Sequence, residues 1–387
     1  MLLLSLTGLW LLLAVVLAVR LGRAGSSQLA LPRSSESLRS APTLSIVVPM
    51  RNEARNMVAC LEGLLTQRYD TASLEVIVVD DGSTDDSVAI ARAVIARLGA
   101  EGRARVISAG ALPPGWLGKA NGCRRGALEA RGEWIAFVDA DVQCGPALFD
   151  SAIAHAREER LDLLSLVPRQ RFESFWERAL LLPIFVLFGA VLPLRGGSST
   201  PIANGQFLLF RRASYDAIGG HTAVRAVMLD DYAFARAIRS AGLRGELRLA
   251  MNLFSCRMYT DLPSVWNGMA NNMVGFLGGS RVGAARSSVL FAMLGAGFVL
   301  LVPVDAWACA NTPGGVLATS TAVLAALGAV TVAAVIVGAV VALRVPLVTA
   351  ILVPFGMIAQ MGVLAASWQR DVRRSFRWRG REIRLDR

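Results

Sequence analysis

Carboxylates at short spacing recur at three places in the chain, each beside an apolar run. Asp139-Ala140-Asp141 follows Trp134 to Val138, five apolar residues that read as a buried strand inside the stretch Gly132 to Cys144. Two carboxylates at alternate positions near a strand end can share one Mg²⁺ or Mn²⁺, with the other coordination positions left for phosphate oxygens. The same three residues alone also fit a solvated turn. Asp80-Asp81-Gly82-Ser83-Thr84-Asp85 follows the run Leu74 to Val79, and it also fits an Asx-turn with a helix N-cap, in which Asp81 and Asp85 are structural. Asp230-Asp231 opens a predicted helix with Ala233, Ala237 and Ile238 on one side, where the helix dipole favours acidic residues. Lys119 lies in LPPGWLGKAN, where Pro113-Pro114-Gly115 forces a turn and Gly118-Lys119 starts a helix through Ala127. Its ammonium could offset a diphosphate, or it could be a surface lysine.

The elements that must position these groups alternate between strand and helix from Leu44 onward, which predicts an α/β domain with a mostly parallel sheet. Leu44 to Val48 reads as a buried strand ending at Pro49. Arg51-Asn52-Glu53 then opens a helix with Val58, Leu61 and Leu65 on one face. Leu161 to Val167 is another strand, and Pro201 to Arg212 a turn and strand leading to a helix that ends at Gly219-Gly220-His221. His221, after two glycines, could pair with a phosphate, but reads first as a solvated loop residue. Polar loops at strand ends are where open α/β sheets bind ligands, and three fall here: Pro49 to Glu53, Asp80 to Asp85, and Asp139 to Asp141.

Those loops together, LSIVVPMRNEARN, VIVVDDGSTDDS and the Asp139-Ala140-Asp141 triplet, resemble in order and spacing the nucleotide-binding half of the family 2 glycosyltransferases, over roughly residues 44 to 273. The resemblance implies a GT-A, Rossmann-like domain. It also implies that Pro49, Arg51, Glu53 and Asp80 hold the nucleobase and ribose, and that Asp139 and Asp141 hold a divalent metal, with Asp139 also on the nucleotide. Lys119 matches the family's Gly-Lys, and Asn204 and Gly205 match its donor and acceptor pocket. The family places its general base in a Glu-Asp pair where this chain has Asp230-Asp231, so Asp231 is the expected base ahead of Asp230. A carboxylate there would take the acceptor hydroxyl's proton during inversion at the anomeric carbon. Arg257 stands where a diphosphate contact or a structural ion pair is expected. The processive synthases' Q-x-x-R-W motif is missing, which favours a single sugar transfer.

The rest of the chain is apolar and basic. Its 387 residues are 54% hydrophobic with a net charge of +11 and a mean hydropathy of +0.49, which is too apolar for a wholly soluble protein. No nucleic-acid-binding motif accompanies the arginines, so the positive charge reads as attraction to anionic headgroups. The five cysteines form no C-x-x-C pair, which excludes a zinc site and a disulfide framework and fits a catalytic part in a reducing compartment. Residues 1–20 read as an uncleaved anchor, 21–42 as a linker and 43–280 as the catalytic domain, with 172–194 as an interfacial segment. Residues 285–368 read as transmembrane helices and 369–387 as a basic tail. Asp305 is expected at the interface. With the catalytic domain cytoplasmic on a multi-pass inner-membrane protein, three full spans would put that tail outside. One segment, 345 to 367, is therefore expected to be re-entrant.

The short G-W-x-G-K form resembles membrane-linked members acting on hopanoids, carotenoids or ceramide. The expected partners are a nucleotide-sugar donor, UDP-linked, and a lipid acceptor of hopanoid or carotenoid type; a ceramide-type acceptor, a polysaccharide synthase and a non-catalytic scaffold are the rivals.

Overall fold

The structure is a computed structural model and describes residues 2–24, 31, 41–185, 203–276, 302–311, 316–373, 375–378 and 381–384, with scattered positions between 285 and 300. Most of the predicted linker and the second half of the predicted interfacial segment lie outside the described residues. The chain divides into two compact units, one of residues 28–171, 195–258 and 377–387, the other of residues 1–27, 172–194 and 259–376.

The first of these units is built on strands β1 (Leu44–Met50), β2 (Leu74–Asp80), β3 (Ala104–Ser108), β4 (Trp134–Val138), β5 (Val142–Cys144), β6 (Leu163–Val167), β7 (Arg169–Gln170), β8 (Phe207–Arg211), β9 (Gly245–Leu249) and β10 (Phe254–Cys256). Seven of them form one sheet in the order β3-β2-β1-β4-β8-β6-β9. β8 runs antiparallel to both its neighbours, β4 and β6, and the other pairings are parallel. Both faces are covered, which is why the strands are continuous apolar runs. Side chains alternate between two separate cores: Ile46, Val48, Val76, Val78, Ala136 and Val138 enter one, while Val47, Ile77, Val79, Ile135 and Phe137 enter the other. A small second sheet, β5-β10-β7, follows the Asp139–Asp141 triplet.

Because β1, β2 and β4 are parallel, all three acidic or polar loops leave the same edge of the sheet, with Met50 level with Asp80. The helix Gly118–Glu129 packs against β1 and β2 through its small residues. A Cβ on Gly126 would stand 2.3 Å from Val47 Cγ1, so only glycine lets this helix lie so close to the sheet.

Some local expectations are corrected. β1 continues through Pro49 to Met50, because Pro49 and Val79 are level in the ladder and proline sits at a position that the local pairing tolerates. In the helix Ala54–Leu65, Val58 is 42% exposed, and Met57, Cys60, Leu61, Leu64 and Leu65 form the buried face. In the helix Asp230–Ser240, Phe234, Ala235 and Ile238 are buried while Ala233 and Ala237 are half-buried. An apolar count gave the period of each helix but not its phase, which the sheet beneath decides.

The other unit is helical. The helix Leu2–Ala24 runs beside Val316–Ala342, which also neighbours Val302–Asn311; Leu262–Phe276 lies beside Val353–Arg373. Two stretches, Thr319–Val341 and Leu347–Arg370, are long and apolar enough to cross a membrane. At 1.5 Å per residue their 23 and 24 residues reach about 35 Å, against a hydrocarbon core of about 30 Å. The stretch from Leu347 starts as a 3₁₀ helix to Leu352 and continues as an α-helix. Asp305 is fully buried within this unit and accepts a 3.0 Å hydrogen bond from Thr7 Oγ1. Phe175 and Trp176 stay exposed, stacked edge to face.

Candidate active site

The first two loops are laced together by their own side chains. Asn52 takes a positive φ of 53°. Its backbone N–H donates to Ser83 Oγ at 3.0 Å, and its Oδ1 accepts from Thr84 N at 2.8 Å. Glu53 N donates to Ser87 Oγ at 2.7 Å and Ala54 N to Asp85 Oδ2 at 3.1 Å. Arg51 Nη1 donates to the Asp81 carbonyl. Burial raises the Asp85 carboxyl, but the bonds from Ser87 and Ala54 outweigh it and hold it below the usual carboxylate range. Asp80 accepts from Ser83 N at 3.0 Å through Oδ1, three residues on, while the Asx-turn anticipated from the sequence falls at Asp85, whose Oδ1 accepts from Ser87 N at 3.0 Å. Pro49 sits 3.4 Å from where a Gly122 Cβ would be, beneath the lysine-bearing helix, and Glu53 Oε2 accepts from Asn56 at 2.7 Å.

The third loop meets the lysine and the acidic pair. Lys119 Nζ lies 2.6 Å from Asp139 Oδ1 and donates to the Gly205 carbonyl at 3.2 Å. Gly205 N donates to Asp231 Oδ2 at 2.9 Å, Tyr232 N donates to Asp231 Oδ1 at 2.8 Å, and Asp231 N donates to Asp230 Oδ1 at 2.9 Å. A Cβ on Gly205 would stand 3.4 Å from Asp231 Oδ2, 3.5 Å from Lys119 Nζ and 3.6 Å from Asp230 Oδ1. One glycine thus marks the point on which three charged groups converge.

Their electrostatics follow from that crowding. Burial, then the Asp230 charge, push the Asp231 carboxyl up to about 7, against the opposing bonds from Tyr232 and Gly205 and the Lys119 ammonium. Asp230 is raised by burial and by Asp139, with Lys119 opposing. Burial would lower Lys119, but Asp139 and Asp230 outweigh it and hold the ammonium protonated. A carboxyl that gives up its proton near neutrality is what a general base requires.

Asp141 sits on the other side of the triplet. It accepts from the Cys256 thiol, and its carbonyl accepts from Arg257 N at 3.4 Å, which places Arg257 beside the acidic triplet. Asn204 Oδ1 accepts from Gln206 N at 3.0 Å, closing the turn that presents Gly205. Gln206, which the sequence reading passed over, is 7% exposed and accepts from Asp139 N at 3.3 Å through its carbonyl. A polar residue directly before the apolar run Phe207–Phe210 was the available signal.

His221 is corrected most strongly. It is 1% exposed, packed among Phe137, Tyr215 and Phe234, with Nδ1 2.8 Å from the Tyr215 hydroxyl. Burial, then Lys119, push it down to about 3, so it is neutral and cannot pair with a phosphate.

Among the described residues no three His, Cys, Asp or Glu side chains cluster as a metal cage. Asp139 and Asp141 supply two hard carboxylates, a donor set that suits one Mg²⁺-like ion completing its shell with phosphate oxygens and water.

Parallel strands with ligand loops at one edge, a reversed strand inside the sheet and an acidic triplet after the fourth strand define the GT-A class of nucleotide-sugar-dependent folds. Residues 45–219 match the domain described as Glycosyl transferase family 2. It is 26% identical over 261 residues to a 4,4'-diaponeurosporenoate glycosyltransferase of Staphylococcus aureus (strain MRSA252), covering 64% of this chain and 65% of that protein. It is 33% identical over 126 residues to an uncharacterized glycosyltransferase of Escherichia coli K12, covering 33% and 34%. The chain thus spans less than two thirds of the length of these relatives. A mannosyltransferase from Pyrobaculum calidifontis in complex with GDP-Man and Mn²⁺ shares the fold, with a TM-score of 0.53 and 18% identity over 96% of this chain and 97% of that one.

Proposed function

We propose that the protein is a membrane-bound inverting glycosyltransferase that moves one sugar from a nucleotide-sugar, UDP-linked, to the hydroxyl of an isoprenoid lipid of hopanoid or carotenoid type. The observation that carries this reading is the convergence of Lys119, Asp230 and Asp231 on Gly205, with Asp139 held by the lysine. The relative that acts on diaponeurosporenoate supports the acceptor class, and the two apolar helices support a membrane setting.

In this reading the laced loops of Pro49, Arg51, Glu53 and Asp80 grip base and ribose. Asp80 commits one oxygen to Ser83, and the other would accept the uracil N–H. Lys119 exchanges part of its hold on Asp139 for the donor's diphosphate, and Arg257 approaches the same phosphates. Asp139 and Asp141 would hold Mg²⁺ or Mn²⁺, which when bound supplies charge stabilisation to the leaving diphosphate. Asp231 accepts the acceptor's hydroxyl proton as that oxygen attacks the anomeric carbon from the face opposite the leaving group. Asp230, taking the Asp231 amide bond, positions it. Asn204 and Gly205 line the sugar. The anchor at 1–20, the membrane segments within 285–368, the basic tail 369–387 and the cytoplasmic face of the inner membrane complete the proposal.

The test uses the full chain in lipid nanodiscs with radiolabelled UDP-sugars and a hopanoid and carotenoid alcohol mixture. One labelled lipid carrying a single sugar is expected, and no product from Asp231→Asn. A ladder of oligosaccharides would replace this reading with a polymerase, and undiminished activity in Asp231→Asn would remove the assigned base.

A further inference from the structure

A chain of buried polar side chains ends on the second carboxylate of the acidic triplet. Gln170 Nε2 donates to Gln206 Oε1 at 2.9 Å, Gln206 Nε2 donates to Cys256 Sγ at 2.9 Å, and the Cys256 thiol donates to Asp141. The three residues are 5%, 7% and 0% exposed. They come from separate elements: Gln170 from β7, Gln206 from the turn before β8, and Cys256 from β10. The register of the small sheet sets Cys256 opposite Val142 and level with Gln170, so the thiol stands one residue from Asp141.

We propose that Cys256 is a positioning residue for Asp141, and that the Gln170–Gln206–Cys256 relay fixes the angle at which this carboxylate meets a divalent cation. The inference rests on the metal reading proposed above. Each link has one direction. Gln206 Oε1 accepts from Gln170 and from Asn204 Nδ2, the latter at 3.3 Å. Its NH₂ therefore faces the sulfur, and a sulfur that accepts that bond keeps its own hydrogen for Asp141. Gln206 also holds the main chain of Asp139, through the bond from Asp139 N to its carbonyl, so both acidic residues of the triplet are tied to one residue. Burying three polar side chains where apolar ones would pack is unfavourable unless every group is satisfied. Partners that orient a metal's ligands are typically worth about 10–100-fold in metal affinity.

The experiment measures Mn²⁺ affinity of the detergent-solubilised full chain from the EPR signal of free Mn²⁺, with Mn²⁺ alone as the probe and thermal melting as the control for folding. Cys256→Ala is expected to weaken Mn²⁺ binding by about 10-fold while still melting cooperatively, and Cys256→Ser, which restores a donor, to recover to within about threefold. Gln206→Met, which keeps the volume but removes all three side-chain links, should weaken binding similarly. Its combination with Cys256→Ala should add little, because the two act through one chain. Folded Cys256→Ala with wild-type Mn²⁺ affinity would overturn the relay. If that variant does not fold, Gln206→Met decides the matter by the same criterion. Wild-type protein that binds no Mn²⁺, or Asp141→Asn that binds it undiminished, would instead remove the metal reading itself, a failure visible without any Cys256 variant.

Discussion

Asp231→Asn separates a catalytic carboxyl from a helix-capping one because the two roles predict opposite effects on stability. An unperturbed aspartate titrates near about 3.9, whereas Asp231 is pushed up to about 7. The folded-state value is the higher one, so this group's contribution to stability is complete below about pH 4 and is lost as the pH rises through about 7. At pH 8 the gap of about 3 pH units, at about 1.4 kcal/mol each, means that keeping the carboxylate ionised in the fold costs on the order of 4 kcal/mol. Asparagine removes the charge but keeps one acceptor for the two amides, Gly205 N and Tyr232 N, that the aspartate satisfies. Losing one such bond costs about 1–2 kcal/mol. The variant should therefore be about 2 kcal/mol more stable than wild type at pH 8, a rise in Tm of about 4–8 °C for a domain of this size. The advantage should vanish by about pH 5, where the wild-type group is largely protonated. Tryptophan-fluorescence melting of the full chain at pH 5 and pH 8, beside the transfer assay, reads both effects. An Asp231→Asn protein less stable than wild type at both pH values would refute the reasoning and return Asp231 to a structural cap.

Four further outcomes follow from the same structure. Lys119→Met should move the acid limb of kcat/KM, near pH 7 in wild type, upward by about 1 unit, since the ammonium lowers both Asp230 and Asp231; a pH–rate profile checks it. Lys119→Arg should rescue poorly, leaving at least about a 10-fold deficit, because a planar fork cannot reproduce a compact ammonium held between Asp139 Oδ1 and the Gly205 carbonyl. Gly126→Ala should destabilise the protein by about 1–3 kcal/mol in urea unfolding, since its methyl would stand 2.3 Å from Val47. Asp85→Ala, which frees Ala54 N and Ser87, should raise the donor KM by about 3–10-fold with little change in kcat and lower stability by about 1 kcal/mol.

Much of this site was legible in order along the chain and little of it across the chain. Leu44 to Val48 and Trp134 to Val138 announce themselves as strands because a strand buried on both faces must be apolar throughout, and the residues at their ends are then loop residues at one edge. The closures that matter join positions far apart in sequence, Lys119 to Asp139 and Gly205 to Asp231, and only sheet order decides those. Phase was equally out of reach: Val58 and Met57 are neighbours with equal claims to the core, and His221 reads as polar until Phe137 and Phe234 are seen around it. Gln206 escaped notice because a buried amide looks like any other amide. Composition held one unread hint. Of 40 basic residues, Lys119 is the only lysine, in a chain that uses arginine everywhere else.

That solitary lysine turns the protein into its own reporter. An acylating reagent that attacks free amines has, apart from the chain terminus, a single side chain to find, and it lies beside the acidic triplet. While Asp139 clasps it the nitrogen stays protonated and inert; whatever draws Asp139 away would expose the amine, so the extent of acylation would count the fraction of molecules in which the clasp has opened.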